Sequence, residues 1–219
     1  MDYAWILFGG GAYLIGAIPF GKGIASAVAR IDITRQGSGN IGATNVAREL
    51  GMKWGIVTLI LDVLKGLVPL LFLMHWAPSP VNSAQETGLA LVGLCALLGH
   101  QFSPFMKFKG GKGVATALGV YLAISPVACL SGLVVFVLSV AKWDYISLGS
   151  MLSALTVPLV ILLMGHPPGV VMAAFCMAVL ICIKHRENIQ RLINGEERKW
   201  KHGDDQPRRS SSRSNSSSL

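Results

Sequence analysis

The sequence predicts an all-α protein: a polytopic membrane helix bundle of about seven transmembrane helices, some short, with the N-terminus outside and the C-terminus in the cytoplasm. Three observations predict it. Of 219 residues, 52% are hydrophobic and only 14% charged, where a soluble domain carries about a quarter charged residues, and the mean hydropathy is +0.55. Apolar runs recur at or near the roughly 20 residues a helix needs to cross the hydrocarbon core. Three polar islands, rich in glycine and basic residues, separate those runs.

The first run covers residues 3–21. It lacks the positively charged start of a signal peptide, so it is expected to remain as a membrane helix. Residues 54–76 and 87–105 are the next two spans. Residues 114–141 are apolar but broken at Ser125-Pro126, and two further runs cover 146–165 and 169–183, separated by His166-Pro167-Pro168. Parity decides the count. If 114–141 is one crossing, the first and third islands fall on opposite faces. If the chain turns back at Ser125-Pro126, there are seven crossings. Every Lys and Arg except Lys65 then lies on one side, opposite Asp2, His75, Glu86 and His166. The positive-inside rule favours this second arrangement and puts the basic side in the cytoplasm. The halves of 114–141 are short for full spans and suit tilted helices or a locally thinned bilayer.

One domain is expected over residues 1–197. From 198 to 219 the chain is basic and Ser-rich, lacks apolar periodicity, and is expected to be a disordered cytoplasmic tail. The formal charge of +8 sits in loops and tail. That points to an anionic substrate or lipid surface, and no basic, aromatic-laced soluble surface suggests nucleic acid. Cys95, Cys129, Cys176 and Cys182 lie in apolar runs without CxxC spacing and read as small hydrophobes, so no metal site and no cofactor is expected.

In the first island, Gly37-Ser38-Gly39-Asn40-Ile41-Gly42-Ala43-Thr44-Asn45, the glycines permit positive φ and close approach, and successive amides can form an anion nest. Ser38, Asn40, Thr44 and Asn45 add donors, and Arg48 can fork onto a phosphate. A tight interhelical turn is the plain alternative for such a loop. The second island, Gly110-Gly111-Lys112-Gly113, feeds the expected helix start at Val114, an arrangement that binds phosphate. Lys107 and Lys109 read as membrane-face anchors and Lys112 as the ligand candidate. In the third island, His185 and Asn188 share a face if the segment is helical, and both can hydrogen-bond a small polyol, with His185 a possible general base. Ser147 and Ser150 begin the sixth span near the same face and serve as caps or as a pocket wall. Asp62 and Lys65, three apart within a span, are explained by a mutual ion pair. His100 reads as a packed histidine.

Taken together, the three islands resemble those of the bacterial acyl-phosphate:glycerol-3-phosphate acyltransferases, an integral membrane family. The matching stretches run from Gly37-Ser38-Gly39-Asn40 through Arg48, from Gly99-His100 through Thr116, and from Lys184-His185-Arg186-Glu187-Asn188-Ile189 through Asn194-Gly195. The resemblance implies a bundle of membrane helices with the islands around a cytoplasm-facing pocket in the bacterial inner membrane. It implies transfer of a fatty acyl group from acyl phosphate to the 1-hydroxyl of glycerol 3-phosphate, giving lysophosphatidate and phosphate in phospholipid synthesis. Its partners would be glycerol 3-phosphate, fatty acyl phosphate and membrane lipids. Arg48, Lys112 and the Ser38–Thr44 loop, with Gly110 and Gly111, would take phosphate, while His185 and Asn188 would orient the glycerol. No carboxylate partner for His185 is visible, which favours a phosphoryl oxygen of the donor as proton acceptor over His185. The alternative class is an organophosphate transporter or channel, disfavoured because the polar groups cluster at one face and no internal repeat is present.

Overall fold

The structure is a computed structural model that describes residues 3–76 and 82–201. Asp2 and the part of the expected tail from residue 202 onward lie outside the described residues. Among the described residues there are ten α-helices and no strand. The first expected run is divided: α1 (Tyr3–Gly16) stops before Pro19, and α2 (Phe20–Ala29) follows the break. After the first island come the short amphipathic α3 (Ala43–Leu50) and then α4 (Met52–Trp76). Next are α5 (Ser83–Gln101), α6 (Val114–Ile124), α7 (Pro126–Trp143) and α8 (Ile146–Leu163). The last helices among the described residues are α9 (Pro168–Lys184) and α10 (Arg186–Ile193), which bends away from α9 by 57°.

Among the described residues five helical segments are long and apolar enough to cross a membrane, and a sixth is added if α9 and α10 count as one bent span. The apolar helix α6 has 11 residues, about 16 Å at 1.5 Å per residue, and is shorter than those spans. The loop before it packs along α5: Gly110 lies on the His100 carbonyl, and Gly113 lies against Leu97, a turn further into the bundle. Ile6, Leu7 and Leu163 stay largely exposed, as lipid-facing residues do in a bundle packed by its small residues. A Cβ at Gly16 would overlap the Ala96 carbonyl, and one at Gly119 the Val63 carbonyl.

Side-chain pairs set the direction of each pass. Gly88 meets Trp5 and Gly99 meets Tyr13, so α1 and α5 run parallel. Gly169 meets Thr87, and Lys184 Nζ donates to the Gln101 carbonyl at 2.6 Å, so α9 is parallel to α5. Gly132 packs on Val157 and Gly149 on Phe136, which makes α7 and α8 antiparallel. Ser125 Oγ and His166 Nε2 are 3.2 Å apart, and His166 Nδ1 is 3.6 Å from Glu86 Oε2. The α6–α7 break therefore lies at the end of the molecule where α5 begins, and the chain does reverse at Ser125-Pro126. All three polar islands consequently meet at the opposite end.

Candidate active site

The first island is folded by one side chain. Asn45, on the first turn of α3, donates from Nδ2 to the carbonyls of Asn40 (2.9 Å), Gln36 (3.1 Å) and Ile33 (3.4 Å), while its Oδ1 accepts the Ser38 N–H at 2.9 Å. Asn40 Oδ1 accepts the Gly42 N–H at 2.8 Å, and Gly39 turns at φ +70°. The loop is thus locked before any ligand arrives. Ser38, Asn40, Thr44, Asn45 and Arg48 line a cavity of about 810 Å³.

The second island is held against the end of α5. Gly110 and Gly111 donate to the carbonyls of Gln101 and His100, both at 3.1 Å, and Gln101 Nε2 donates to the Lys112 carbonyl at 2.8 Å. Gly113, at φ +86°, then opens α6. Lys112 enters the cavity and donates to Asn188 Oδ1. Gly39, Gly110 and Gly111 are not among the lining residues. The missing side chain of Gly111 admits the His100 ring.

In the third island, His185 stands at the α9–α10 break and Asn188 on the first turn of α10, both buried. His185 Nδ1 is 2.8 Å from the Ile181 carbonyl. A carbonyl only accepts, so Nδ1 carries the proton and Nε2 keeps its lone pair. Burial, with the Lys112 cation second, pushes His185 down to about 4, so the ring is neutral at pH 7. Burial likewise brings Lys112 down to about 8. Arg48 is lowered by burial and by Arg198, and it remains charged.

Sequence reasoning missed the centre of this network, Glu197. Its Oε1 accepts from Asn188 Nδ2 (2.6 Å) and Ser147 Oγ (2.7 Å), and its Oε2 from Arg191 Nε (2.7 Å). Burial raises its carboxyl, but these hydrogen bonds outweigh that and hold it below its ordinary value. A carboxylate therefore stands in the site, but its hydrogen bonds go to Asn188, Ser147 and Arg191 and none goes to His185. Ser147 is a cavity donor, whereas Ser150, also lining, gives its hydroxyl to the Ile146 carbonyl at 2.8 Å. The following residues cross the mouth of the cavity. Arg48 Nη2 approaches the carbonyls of Arg198 and Lys199 at 3.4 Å and stacks over Trp200, whose N–H donates to the Asp144 carbonyl at 2.8 Å. Asp62 and His100, read above as structural, also line the cavity.

The cavity has two characters. Its polar end gathers Arg48, Lys112, Arg191, Ser38, Ser147 and Asn188. Away from them Leu59, Tyr121, Leu133, Phe136, Val137 and Val157 form an apolar wall. Such a space takes an anionic headgroup at one end and a hydrocarbon chain at the other. Among the described residues no group of three or more His, Cys, Asp or Glu could hold a metal ion.

Comparison with known proteins agrees. The family model for glycerol-3-phosphate acyltransferase matches residues 6–195. A glycerol-3-phosphate acyltransferase of Trichlorobacter lovleyi is 50% identical over 191 residues, covering 87% of this chain and 95% of the relative. That of Geobacter sulfurreducens is 47% identical over 190 residues, covering 87% and 94%. The crystal structure of PlsY, an integral membrane glycerol 3-phosphate acyltransferase, in its glycerol 3-phosphate form superposes with a TM-score of 0.83 at 39% identity. It covers 90% of this chain and 95% of that one. The lysophosphatidic acid form gives 0.81. With the islands gathered on one two-ended cavity and nearly the whole length matched, the chain belongs to the glycerol-3-phosphate acyltransferase family.

Proposed function

We propose that the protein transfers a fatty acyl group from acyl phosphate to the 1-hydroxyl of glycerol 3-phosphate, releasing phosphate, at the cytoplasmic face of the bacterial inner membrane. The observation that carries this reading is the joining of Arg48, Lys112 and Asn188 to an apolar wall in one cavity. Two phosphates need cations and donors, and one acyl chain needs apolar surface. Charge asymmetry supports the orientation, since the site end carries the Lys and Arg residues and the far end carries Glu86 and His166.

In this mechanism Arg48 and Lys112 hold phosphate, and the Ser38–Thr44 loop adds N–H and hydroxyl donors. His185 Nε2 and Asn188 orient the glycerol hydroxyls. The 1-hydroxyl oxygen attacks the acyl carbonyl carbon, the bond from that carbon to the bridging phosphate oxygen breaks, and phosphate leaves with the electron pair. A base near 4 is poorly matched to this proton at neutral pH. The hydroxyl proton therefore passes to a phosphoryl oxygen of the donor, and His185 acts by positioning.

The test is turnover by purified protein in lipid, with palmitoyl phosphate or palmitoyl-CoA as donor. Lysophosphatidate and phosphate in one-to-one ratio from palmitoyl phosphate alone support the reading. Turnover with palmitoyl-CoA only contradicts the donor. Uptake of glycerol 3-phosphate into sealed vesicles without any acyl product would instead support a transporter.

A further inference from the structure

One buried polar cluster has no part in the mechanism above. Lys65 Nζ lies 2.9 Å from Asp62 Oδ1, one turn away on α4, and His100 Nδ1 lies 3.8 Å from the same oxygen. All three residues are at most 3% exposed. Lys65 also donates to the Ile18 carbonyl at 3.1 Å and sits over the Phe20 ring, at the break between α1 and α2. Charges inside a membrane bundle are costly, and an apolar pair would pack α4 equally well. What apolar residues could not do is orient an imidazole. Among the described residues neither Asp62 Oδ1, though ion-paired, nor His100 Nδ1 has a hydrogen-bond partner, and both residues line the cavity. The other edge of the ring, Nε2, abuts Gly111 so closely that a Cβ there would overlap it. Gly111 is fastened to the His100 carbonyl, and its neighbour is Lys112.

We propose that Asp62 and His100 are positioning residues for the anion site. The carboxylate lies 3.8 Å from Nδ1, beyond hydrogen-bond length, so its charge attracts that edge of the ring rather than bonding it; the ring in turn carries Gly111, which sets where Lys112 Nζ meets the phosphate of glycerol 3-phosphate. The inference rests on Lys112 being a phosphate ligand. A charge-assisted contact is directional, and misplacement by about 1 Å is enough to weaken it strongly.

The single variant Asp62→Asn leaves Lys65 buried without its counter-charge and can fail to fold. The decisive variant is therefore Asp62→Asn with Lys65→Met, which removes both charges and keeps the shape; His100→Leu serves as a second, independent variant. Both are expected to melt within a few degrees of wild type. Both are expected to raise KM for glycerol 3-phosphate about tenfold, with KM for palmitoyl phosphate and kcat changed by less than about threefold. The Kd for glycerol 3-phosphate, measured by calorimetry without turnover, should rise by the same factor. The triple variant should be no worse than His100→Leu alone, because the two residues act through one chain of contacts. A double variant with wild-type KM and Kd overturns the proposal and leaves the pair a neutralised charge. A fall in kcat with unchanged Kd also overturns it. Wild-type protein that binds glycerol 3-phosphate yet makes no lysophosphatidate contradicts the donor assignment rather than this one, since binding remains the readout.

Discussion

Each end of the bundle carries a serine, a histidine and a glutamate brought together from distant parts of the chain, yet only one end is built to hold an anion. At the far end Ser125, His166 and Glu86 tie the α6–α7 break and the α8–α9 turn to the start of α5, with contacts of 3.2 and 3.6 Å. The hollow beside them, about 520 Å³, is lined by Ser83, Glu86 and residues 164–168, without a Lys or Arg. At the site end Glu197 sits among Ser147, Asn188 and Arg191, with Lys112 on Asn188 and Arg48 at the mouth. A histidine within 4 Å of a carboxylate does not by itself make a site. Converging cations on locked loops, joined to an apolar wall, do.

That contrast breaks first at its cations. Arg48→Met or Lys112→Met is expected to lower kcat/KM by about 100-fold or more, the scale for removing one aimed donor from charge developing in an active site; steady-state kinetics in lipid checks it. The pH profile is the next largest effect. Lys112, brought down to about 8 by burial, is fully charged only well below that pH and loses its charge above it, so the phosphate contact proposed for it is expected to be complete at about pH 7 and lost as pH rises through 8. The value of kcat/KM, which reports the free enzyme, is expected to fall about tenfold per unit well above pH 8. Lys112→Arg should move that limb upward, because a guanidinium stays charged.

Smaller effects sharpen the contrast. His185→Ala is expected to cost about tenfold in kcat/KM and to leave its pH dependence below neutrality unchanged, as fits a positioning residue; loss of about 10⁴-fold would make His185 the base. At the far end, His166→Ala should leave kcat/KM within about twofold and lower the melting temperature by a few degrees, the loss of one or two modest polar contacts. A large fall in activity from His166→Ala would erase the distinction between the ends.

Much of this was legible in the sequence. Apolar length and charge placement located the helices, and the reversal at Ser125-Pro126 followed from parity. The break at Pro19 and the short α3 and α10 were not, because polar helices beside a membrane leave no long apolar run. Arg48, Lys112, His185 and Asn188 were visible as chemistry on islands. Glu197 was not: Gly195, at φ +72°, turns the chain back, so the Arg191 to Glu197 contact spans six residues and matches no helical period. The packing of Gly110 and Gly111 on His100 was not legible, since a glycine loop reads the same whether its open side faces a phosphate or an imidazole. Asp62 and His100 lie 38 positions apart on different helices, and only packing brings them together.

If the converging cations at one end form a single glycerol 3-phosphate site, calorimetric binding will show it. Wild-type protein and His166→Ala are predicted to bind glycerol 3-phosphate with the same Kd, while Arg48→Met and Lys112→Met each weaken it at least tenfold, the scale of a lost charge-assisted hydrogen bond. Unchanged Kd in both cation variants, from folded protein, would contradict the account.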